Sequence, residues 1–503
     1  MSPLLANLVF AAGICGLFYL DRDPLAKTSK ALWVSVVWLF LSGSRPVSVW
    51  LADLGLGGAP PQIDSPEQYL DGSPTDRLAF IILLIVGAAV LILGRRNIGV
   101  ALRSNILVVL FFAYCLLSVL WSDFAFVAFK RWIKAVGDPT MVLIILSDPG
   151  GLKALKRVLS RTAFLVIPLS VLFIKYHPDL GREYNRWTFL PSYIGVTLGK
   201  NLLGTMCMIF ALGSLWRFLG ALRDESGKER GRHLIVHGAV LAMAFWLFWK
   251  ANSLTSLVCF TLAGILMIAL TFFNLPRKPA MVHLMVLLMV CLPLFSLFSG
   301  SGGGIVESLG RDPTITGRTA IWKAVLSVSG NSLVGTGFES FWMGERLQRV
   351  WDMTAKGIQE AHNGYLEVYL NLGFIGLGIL LTMIVTGYKR AIAAVRQDPY
   401  NGSLRLAFLL VAIIYSFTEA GFRETTSVWF FFLFAVMTLP EESPAGKVPE
   451  HRIDFHARSL PGQRRHGEKM QCTSNVTKTE LSRSDCAGHQ LANLRLRRER
   501  QLE

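Results

Sequence analysis

Leu254-Thr255-Ser256-Leu257-Val258-Cys259-Phe260-Thr261-Leu262-Ala263-Gly264-Ile265-Leu266-Met267-Ile268-Ala269-Leu270-Thr271-Phe272-Phe273 carries no charged side chain from end to end. As a helix, a stretch of this length crosses the roughly 30 Å of hydrocarbon in a bilayer. Its apolar residues are continuous rather than alternating, so it reads as a helix and not as a barrel strand, the only other form that satisfies its backbone in lipid. Similar runs occupy 3–20, 32–51, 78–94, 105–121, 161–176, 198–220, 233–249, 280–299, 364–388, 403–420 and 425–439. A weaker run at 131–147 is interrupted by Lys134, Asp138 and Pro139, which predicts a tilted, broken or re-entrant segment. With 52% hydrophobic and 17% charged residues and a mean hydropathy of +0.46, a soluble domain is excluded. The predicted fold class is all-α, a polytopic integral membrane protein of about 12–13 transmembrane helices with one large outward loop.

Lysine and arginine set the orientation, because loops rich in them stay on the cytoplasmic side. Arg22, Lys27 and Lys30, then Lys153, Lys156 and Arg157, then Arg223, Lys228, Arg230 and Arg232, and finally Lys389, Arg390, Arg396 and Arg405 fall in alternate links. The acidic link from Ala52 to Arg77 and the long link from Gly300 to Asn363 then face outward. The chain divides into N-terminal transmembrane helices (1–299), a large periplasmic loop (300–363), C-terminal transmembrane helices (364–439) and a disordered cytoplasmic tail (440–503). The first run ends Leu20-Asp21-Arg22 with no small-residue cleavage motif and no basic leader, so it is expected to be a retained helix. The net charge of +16 is explained by anchoring to anionic headgroups, so membrane lipid is the expected partner and nucleic acid is not. Five of the seven cysteines lie in apolar runs and the other two in the tail, with no metal-ligand spacing, so neither disulfide nor zinc is expected.

Three outward segments carry polar residues that suit chemistry. Trp121-Ser122-Asp123 is followed by Lys130, Arg131 and Lys134, basic groups on the wrong side for the charge rule, for which interfacial snorkelling is the plainer reading. The segment from Lys175 through His177-Pro178, Arg182, Arg186 and Trp187 to Lys200-Asn201 suits a phosphate or ordinary loop solvation. The large loop contains Arg311-Asp312-Pro313-Thr314-Ile315-Thr316-Gly317-Arg318, a break, a cap and a helix start. Free amides at a helix N-terminus beside the Arg318 guanidinium suit an anion, although an ordinary first-turn arginine looks the same. His362 precedes the helix expected from Gly364, where it takes up a proton near neutral pH or merely caps. Gly335-Thr336-Gly337-Phe338 is a turn too short for a dinucleotide fingerprint.

Gly317-Arg318, Trp322, Gly335-Thr336-Gly337-Phe338 and Ala361-His362-Asn363-Gly364-Tyr365-Leu366-Glu367 with Gly373 and Gly376 resemble the motif set of the O-antigen ligase and polymerase (Wzy-type) family. Ser44-Arg45-Pro46, Trp121-Ser122, His177-Pro178 with Gly181-Arg182, and Gly195-Val196-Thr197 with Lys200-Asn201 resemble its ExoQ-like exopolysaccharide polymerase branch, so that the likeness spans about 30–440. The resemblance implies a glycosyltransferase at the bacterial inner membrane that polymerises polyprenyl-pyrophosphate-linked oligosaccharide repeats by inverting transfer, without cofactor or metal. It implies Arg318 as the pyrophosphate ligand and His362 as the group that activates or positions the acceptor, with Lys200, Arg182 and Arg45 as further anion ligands. Two positions depart from the pattern: Leu254 stands where relatives often carry a basic residue and Gly199 where they often carry histidine, and Lys250 is expected to reach the space near Leu254 from the preceding turn. A ligase moving glycan to lipid A or protein remains an alternative, as does a transporter, although no matched pair of interrupted segments marks an internal repeat. A chain-length regulator and export machinery are the partners such a polymerase would have.

Overall fold

The computed structural model describes residues 2–23, 27–57, 72–94, 98–184, 190–224, 226–273, 275, 278–298 and 315–439. The expected tail, Arg186 and Trp187, the acidic part of the Ala52 to Arg77 link and the turn at Arg311 to Thr314 lie outside them. The first half comprises α1 (Pro3–Leu20), α2 (Leu32–Ser42), α3 (Val47–Asp53), α4 (Pro74–Leu93), α5 (Ile98–Ser104), α6 (Ile106–Leu117), α7 (Ala125–Ala135), α8 (Gly137–Leu146) and α9 (Leu152–Tyr176). The second comprises α10 (Lys200–Asp224), α11 (Gly227–Ala251), α12 (Leu254–Phe272), α13 (Pro279–Phe298), α14 (Ile315–Ser327), α15 (Gly344–Met353), α16 (Gly364–Gln397), α17 (Pro399–Tyr415) and α18 (Ser427–Val436). A two-stranded antiparallel ribbon, β1 (Arg182–Tyr184) with β2 (Pro191–Tyr193), pairs Glu183 with Ser192. The chain is an all-α, multi-pass membrane protein.

Among the described residues, seven helices are long and apolar enough to span, and nine segments qualify if two bent pairs each count as one. Two further apolar helices, α17 with 17 residues and α18 with 10, fall short of that length, and α13 is apolar over Pro279–Phe295. The difference from the expected twelve or thirteen comes mainly from such shorter helices and from the weak run. The run at 32–51 bends by 73° at Gly43 to Pro46, and α5 meets the run at 105–121 at 89°. The weak run at 131–147 divides into α7 and α8 at Val136.

Burial separates centre from rim. The apolar windows of α9 and α10 are 72% and 78% buried, whereas those of α1 and α4 are 6% and 11% buried and turn their leucines and isoleucines outward. Such faces suit lipid, where an exposed leucine costs nothing. Proline and serine start the rim helices: Ser2 and Ser73 each accept a first-turn amide, with Pro3 and Pro74 at the adjoining positions. At the C-terminal end of α18, Asn105 donates to the Thr438 carbonyl (2.7 Å) and accepts its amide (2.9 Å), while Arg390 caps the Val436 carbonyl (2.6 Å).

The segment from Ile315 to Asn363 has a small core of its own, built with the start of α16 on Val325, Phe341, Trp342, Leu347, Val350, Trp351 and Leu370. Its attachment to the bundle is a break in α16. That helix is 34 residues long, about 51 Å at the usual helical rise, more than a bilayer needs. Gly373 interrupts it at φ 64°, ψ −165°, which frees carbonyls before the break and amides after it. The loop satisfies them: Thr336 N and Gly337 N donate to the Leu370 and Asn371 carbonyls (3.1 and 2.9 Å), and Phe374 N and Ile375 N donate to the Ser332 and Leu333 carbonyls (2.9 and 3.1 Å). The two backbones are so close that a Cβ at Gly373 would lie 2.3 Å from the Leu333 carbonyl. Gly373→Ala is therefore expected to cost about 2 kcal/mol or more, through left-handed strain and the clash together. Thermal unfolding in detergent should show a lower melting temperature and faster proteolysis of 315–363, with Gly378→Ala, whose added methyl meets nothing within 4 Å, as the neutral control. Equal melting temperatures in the two variants would contradict this account.

Candidate active site

Four segments converge at one end of the bundle: the first turns of α14, the extended segment before α16, the loop from Ser416 to Thr426 and the first turn of α10. Asn363 caps α16, its Oδ1 accepting the amides of Tyr365 and Leu366 (both 3.0 Å). The cap holds the preceding His362 at φ 49°, a conformation uncommon outside glycine and asparagine. The 359–363 strand is pinned on both sides. Trp322 Nε1 donates to the Ala361 carbonyl (2.8 Å), Glu367 accepts the Ala361 amide, and Trp342 Nε1 donates to Glu367 (2.8 Å). Gly364 N donates to the Ser416 carbonyl (2.7 Å), so the strand and the 416–426 loop meet backbone to backbone. A Cβ on Gly364 would lie 2.9 Å from that of Ser416.

This contact brings Glu419 against His362. Glu419 is 7% exposed; its Oε1 accepts from Arg318 Nη2 at 3.0 Å and from Asn201 Nδ2 at 3.3 Å, and its Oε2 lies 3.2 Å from His362 Nδ1. The same Nδ1 lies 2.9 Å from Glu360 Oε1. Burial alone would disfavour the imidazolium, but the hydrogen bonds and charges of the two carboxylates outweigh it and raise His362 from 6.5 to about 10. Burial likewise opposes ionisation of Glu360, and His362 overcomes it, drawing that carboxyl below its usual range. At neutral pH the site thus holds two cations, Arg318 and protonated His362, threaded through two carboxylates.

A second layer supports the first. Arg423 donates to Glu339 Oε2 through Nε (3.3 Å) and Nη2 (3.2 Å), and through Nη1 to the Gln359 carbonyl (3.4 Å), next to Glu360. Arg131 Nη1 donates to the Glu339 carbonyl (2.6 Å), which gives one of the outward basic groups of α7 a structural task. The charge of Glu339 raises Arg423, burial and the neighbouring Glu339 raise Glu424, and Arg423 outweighs burial to hold Glu339 below its usual range. Asp138 explains the interruption of the weak run: it accepts Trp38 Nε1 (2.7 Å) and the amide of Thr425 (2.9 Å), fixing the far end of the loop that carries Glu419.

Of the residues expected from sequence, Arg318 and His362 share Glu419. The helix bearing Arg318 begins at Ile315, which puts Thr316 in its first turn. Lys200 is exposed at the start of α10, beside Asn201, which does touch Glu419. The other three point elsewhere. Arg45 is buried between Trp50 and Phe173 and binds Asp53 and the Leu180 and Gly195 carbonyls. Arg182 caps α9 through two bonds to the Ile174 carbonyl (3.0 and 2.9 Å), and Lys250 sits among Tyr193, Trp246 and Trp249. Glu360, Glu419 and Arg423 were not singled out from sequence. Glu419 and Arg423-Glu424 are ionisable residues at the edges of apolar runs, and that was the available signal.

A family model described as O-Antigen ligase matches residues 238–381. Exopolysaccharide production protein ExoQ of Rhizobium meliloti (strain 1021) is 23% identical over 358 residues, covering 67% of this chain and 77% of that protein. Over these stretches the chain is similar to the O-antigen ligase and ExoQ-like proteins. The family match contains Arg318, Glu360 and His362 and stops before Glu419 and Arg423, so the carboxylate joining the two cations comes from outside it. Glu360, His362 and Glu419 also place one donor atom each within 4.8 Å of one another, a spacing that suits a metal ion. In this protein His362 Nδ1 bridges both carboxylates and the Arg318 guanidinium occupies Glu419.

The raised His362 fixes the sign of a pH effect. A group held above its unfolded value stabilises the fold fully below that value and loses the contribution as pH rises through the folded one. The stability advantage of the native chain over His362→Gln should be constant below about 6.5, decline above it and vanish near about 10, measured by thermal unfolding in detergent. An advantage that stays level across that window would mean that the imidazole is not paired as described.

Proposed function

We propose that this protein polymerises oligosaccharide repeats carried on polyprenyl pyrophosphate, by inverting glycosyl transfer at the periplasmic face of the bacterial inner membrane. One observation carries the reading: Arg318 and His362, from different parts of the outer loop, share a single carboxylate at the outer end of the bundle. Transfer from a lipid diphosphate develops negative charge on the leaving oxygen, and preorganised cations in a site of low polarity lower that barrier most. Arg318 offers a planar fork matched to phosphate oxygens. His362, with Nδ1 committed to the carboxylates, has Nε2 left to donate to the same group, so it acts as a held cation more than as a free base. The alternate basic links support the orientation, since they leave this end of the bundle facing outward.

The ExoQ relative is named for exopolysaccharide production, which a polymerase would serve, and the matching family model is described as a ligase. Both use the same donor and differ in the acceptor. In a deletion strain, a polymerase predicts loss of long chains with single repeats kept on the carrier, and a ligase predicts carrier-linked polymer that is never transferred. A chain-length regulator and export machinery would be partners of the first. For the chemistry, protein reconstituted in lipid with the carrier-linked repeat is expected to lengthen it without an energy source. Arg318→Ala and His362→Ala should insert normally and lose turnover by about a hundredfold or more, the range seen when one charge-stabilising donor is removed. Full turnover in either variant removes that residue from the site, and transport without lengthening would point to a transporter.

A further inference from the structure

Behind the two carboxylates lies a cavity of about 160 Å³, between the Gly43-Ser44 break, the first turns of α10 and the 416–428 loop. Its charged lining residues are Glu360 and Glu419; Arg318 and His362 are not part of the wall. The rest is mostly hydroxyl-bearing, including Ser44, Thr197, Thr205, Tyr415, Thr426 and Ser427. Several of these hydroxyls have already given their proton to backbone: Thr197 to the Ile194 carbonyl (2.7 Å), Thr205 to the Asn201 carbonyl (2.8 Å) and Thr426 to the Arg423 carbonyl (2.9 Å). What such groups can still offer is lone pairs, and a carboxylate offers only lone pairs. The wall is therefore rich in acceptors and negatively charged. It repels a phosphate and complements a neutral molecule that brings many O–H donors.

Size narrows the choice. At about 160 Å³ the cavity holds more than one water, whose share of liquid is about 30 Å³. It is smaller than the roughly 300 Å³ at which pockets for drug-sized ligands begin. One sugar ring fits that interval and a chain of them does not. Glu360 stands at the rim, its side chain 36% exposed, with one oxygen on His362.

We propose that this cavity is the subsite for the terminal sugar ring of the acceptor, and that Glu360 receives the proton of the attacking hydroxyl. This rests on the lipid-diphosphate reading given above. In the step, the acceptor oxygen forms a bond to C1 of the donor sugar as the bond from C1 to the diphosphate oxygen breaks. The electron pair leaves with the diphosphate, against Arg318 and His362, and the hydroxyl proton passes to Glu360 and from there to water. The carboxylates thus divide the site into a cationic half for the leaving group and an anionic half for the incoming sugar.

The test uses the full chain in nanodiscs, with the lipid-linked repeat as donor and one repeat, freed from lipid by mild acid, as soluble acceptor, products being counted by mass spectrometry. Ala420→Leu places three extra carbons in the cavity wall. It should raise the acceptor KM tenfold or more and leave the binding of undecaprenyl diphosphate unchanged. Thr205→Val, nearly isosteric, should raise the acceptor KM about threefold and gives the reading should the leucine variant not fold. Glu360→Gln should lower kcat a hundredfold at saturating acceptor, a loss that Glu360→Asp should partly restore. An unchanged acceptor KM in a folded cavity variant, or an equal loss of diphosphate binding, overturns the subsite; native kcat in Glu360→Gln overturns its role as proton acceptor. If the native protein extends no acceptor at all, the lipid-diphosphate reading itself fails, an outcome distinct from native extension with insensitive variants.

Discussion

A helix broken at the membrane edge must have its freed backbone groups covered, and the cover that α16 recruits organises the outer half of this protein. Four main-chain hydrogen bonds join the Ser332 to Gly337 turn to the break at Gly373. Each unmet group near lipid would cost several kcal/mol, so the turn is not free to leave. Once it is docked, the segment that follows packs its aromatic residues into a core shared with α14 and α15, and Trp322 and Trp342 reach the strand that carries His362. The position of the imidazole is thus set by a backbone defect roughly ten residues further along the chain.

The fold class was legible because the solvent imposes it: continuous apolar runs longer than a soluble core needs admit one reading. The number of crossings was less legible, because hydropathy does not register a bend. The break at Gly43 to Pro46 sits inside a run whose average hydropathy is high, and the polar groups that stabilise it, Asp76 on the amide and hydroxyl of Ser48, come from a helix downstream. The glycine motif at 335–337 was visible as a turn, but its task of covering a helix break depended on knowing what lay opposite.

The site was half legible for the same reason. Arg318 and His362 stood out as polar residues in a polar loop, whereas Glu419 stood at the end of a run counted as membrane and was absorbed into it. Basic residues near the outer surface all looked alike as anion ligands. Geometry separates them by where their donors already go: Arg182 to the end of the preceding α9, Arg45 to two carbonyls and Asp53, Lys250 to aromatic faces. Arg182 has met its hydrogen-bonding demand on a neutral carbonyl, and Arg45 is buried with two carbonyls and a carboxylate of its own. Arg318 faces the carboxylate that His362 also meets, where one anion can be exchanged for another.

That exchange is the physical sense of a neutral resting site. Two bare cations beside a bilayer would be costly to hold and would collect any passing anion. Two cations threaded by two carboxylates are cheap to hold and already positioned, and the proposed diphosphate, with more charge and more oxygens than Glu419, would compete for both at once. Were it to take up Arg318 and His362, the carboxylates would lose their partners and become stronger proton acceptors, at the moment when the proposed hydroxyl has to be deprotonated. On that reading donor binding and acceptor activation are coupled through the same three hydrogen bonds.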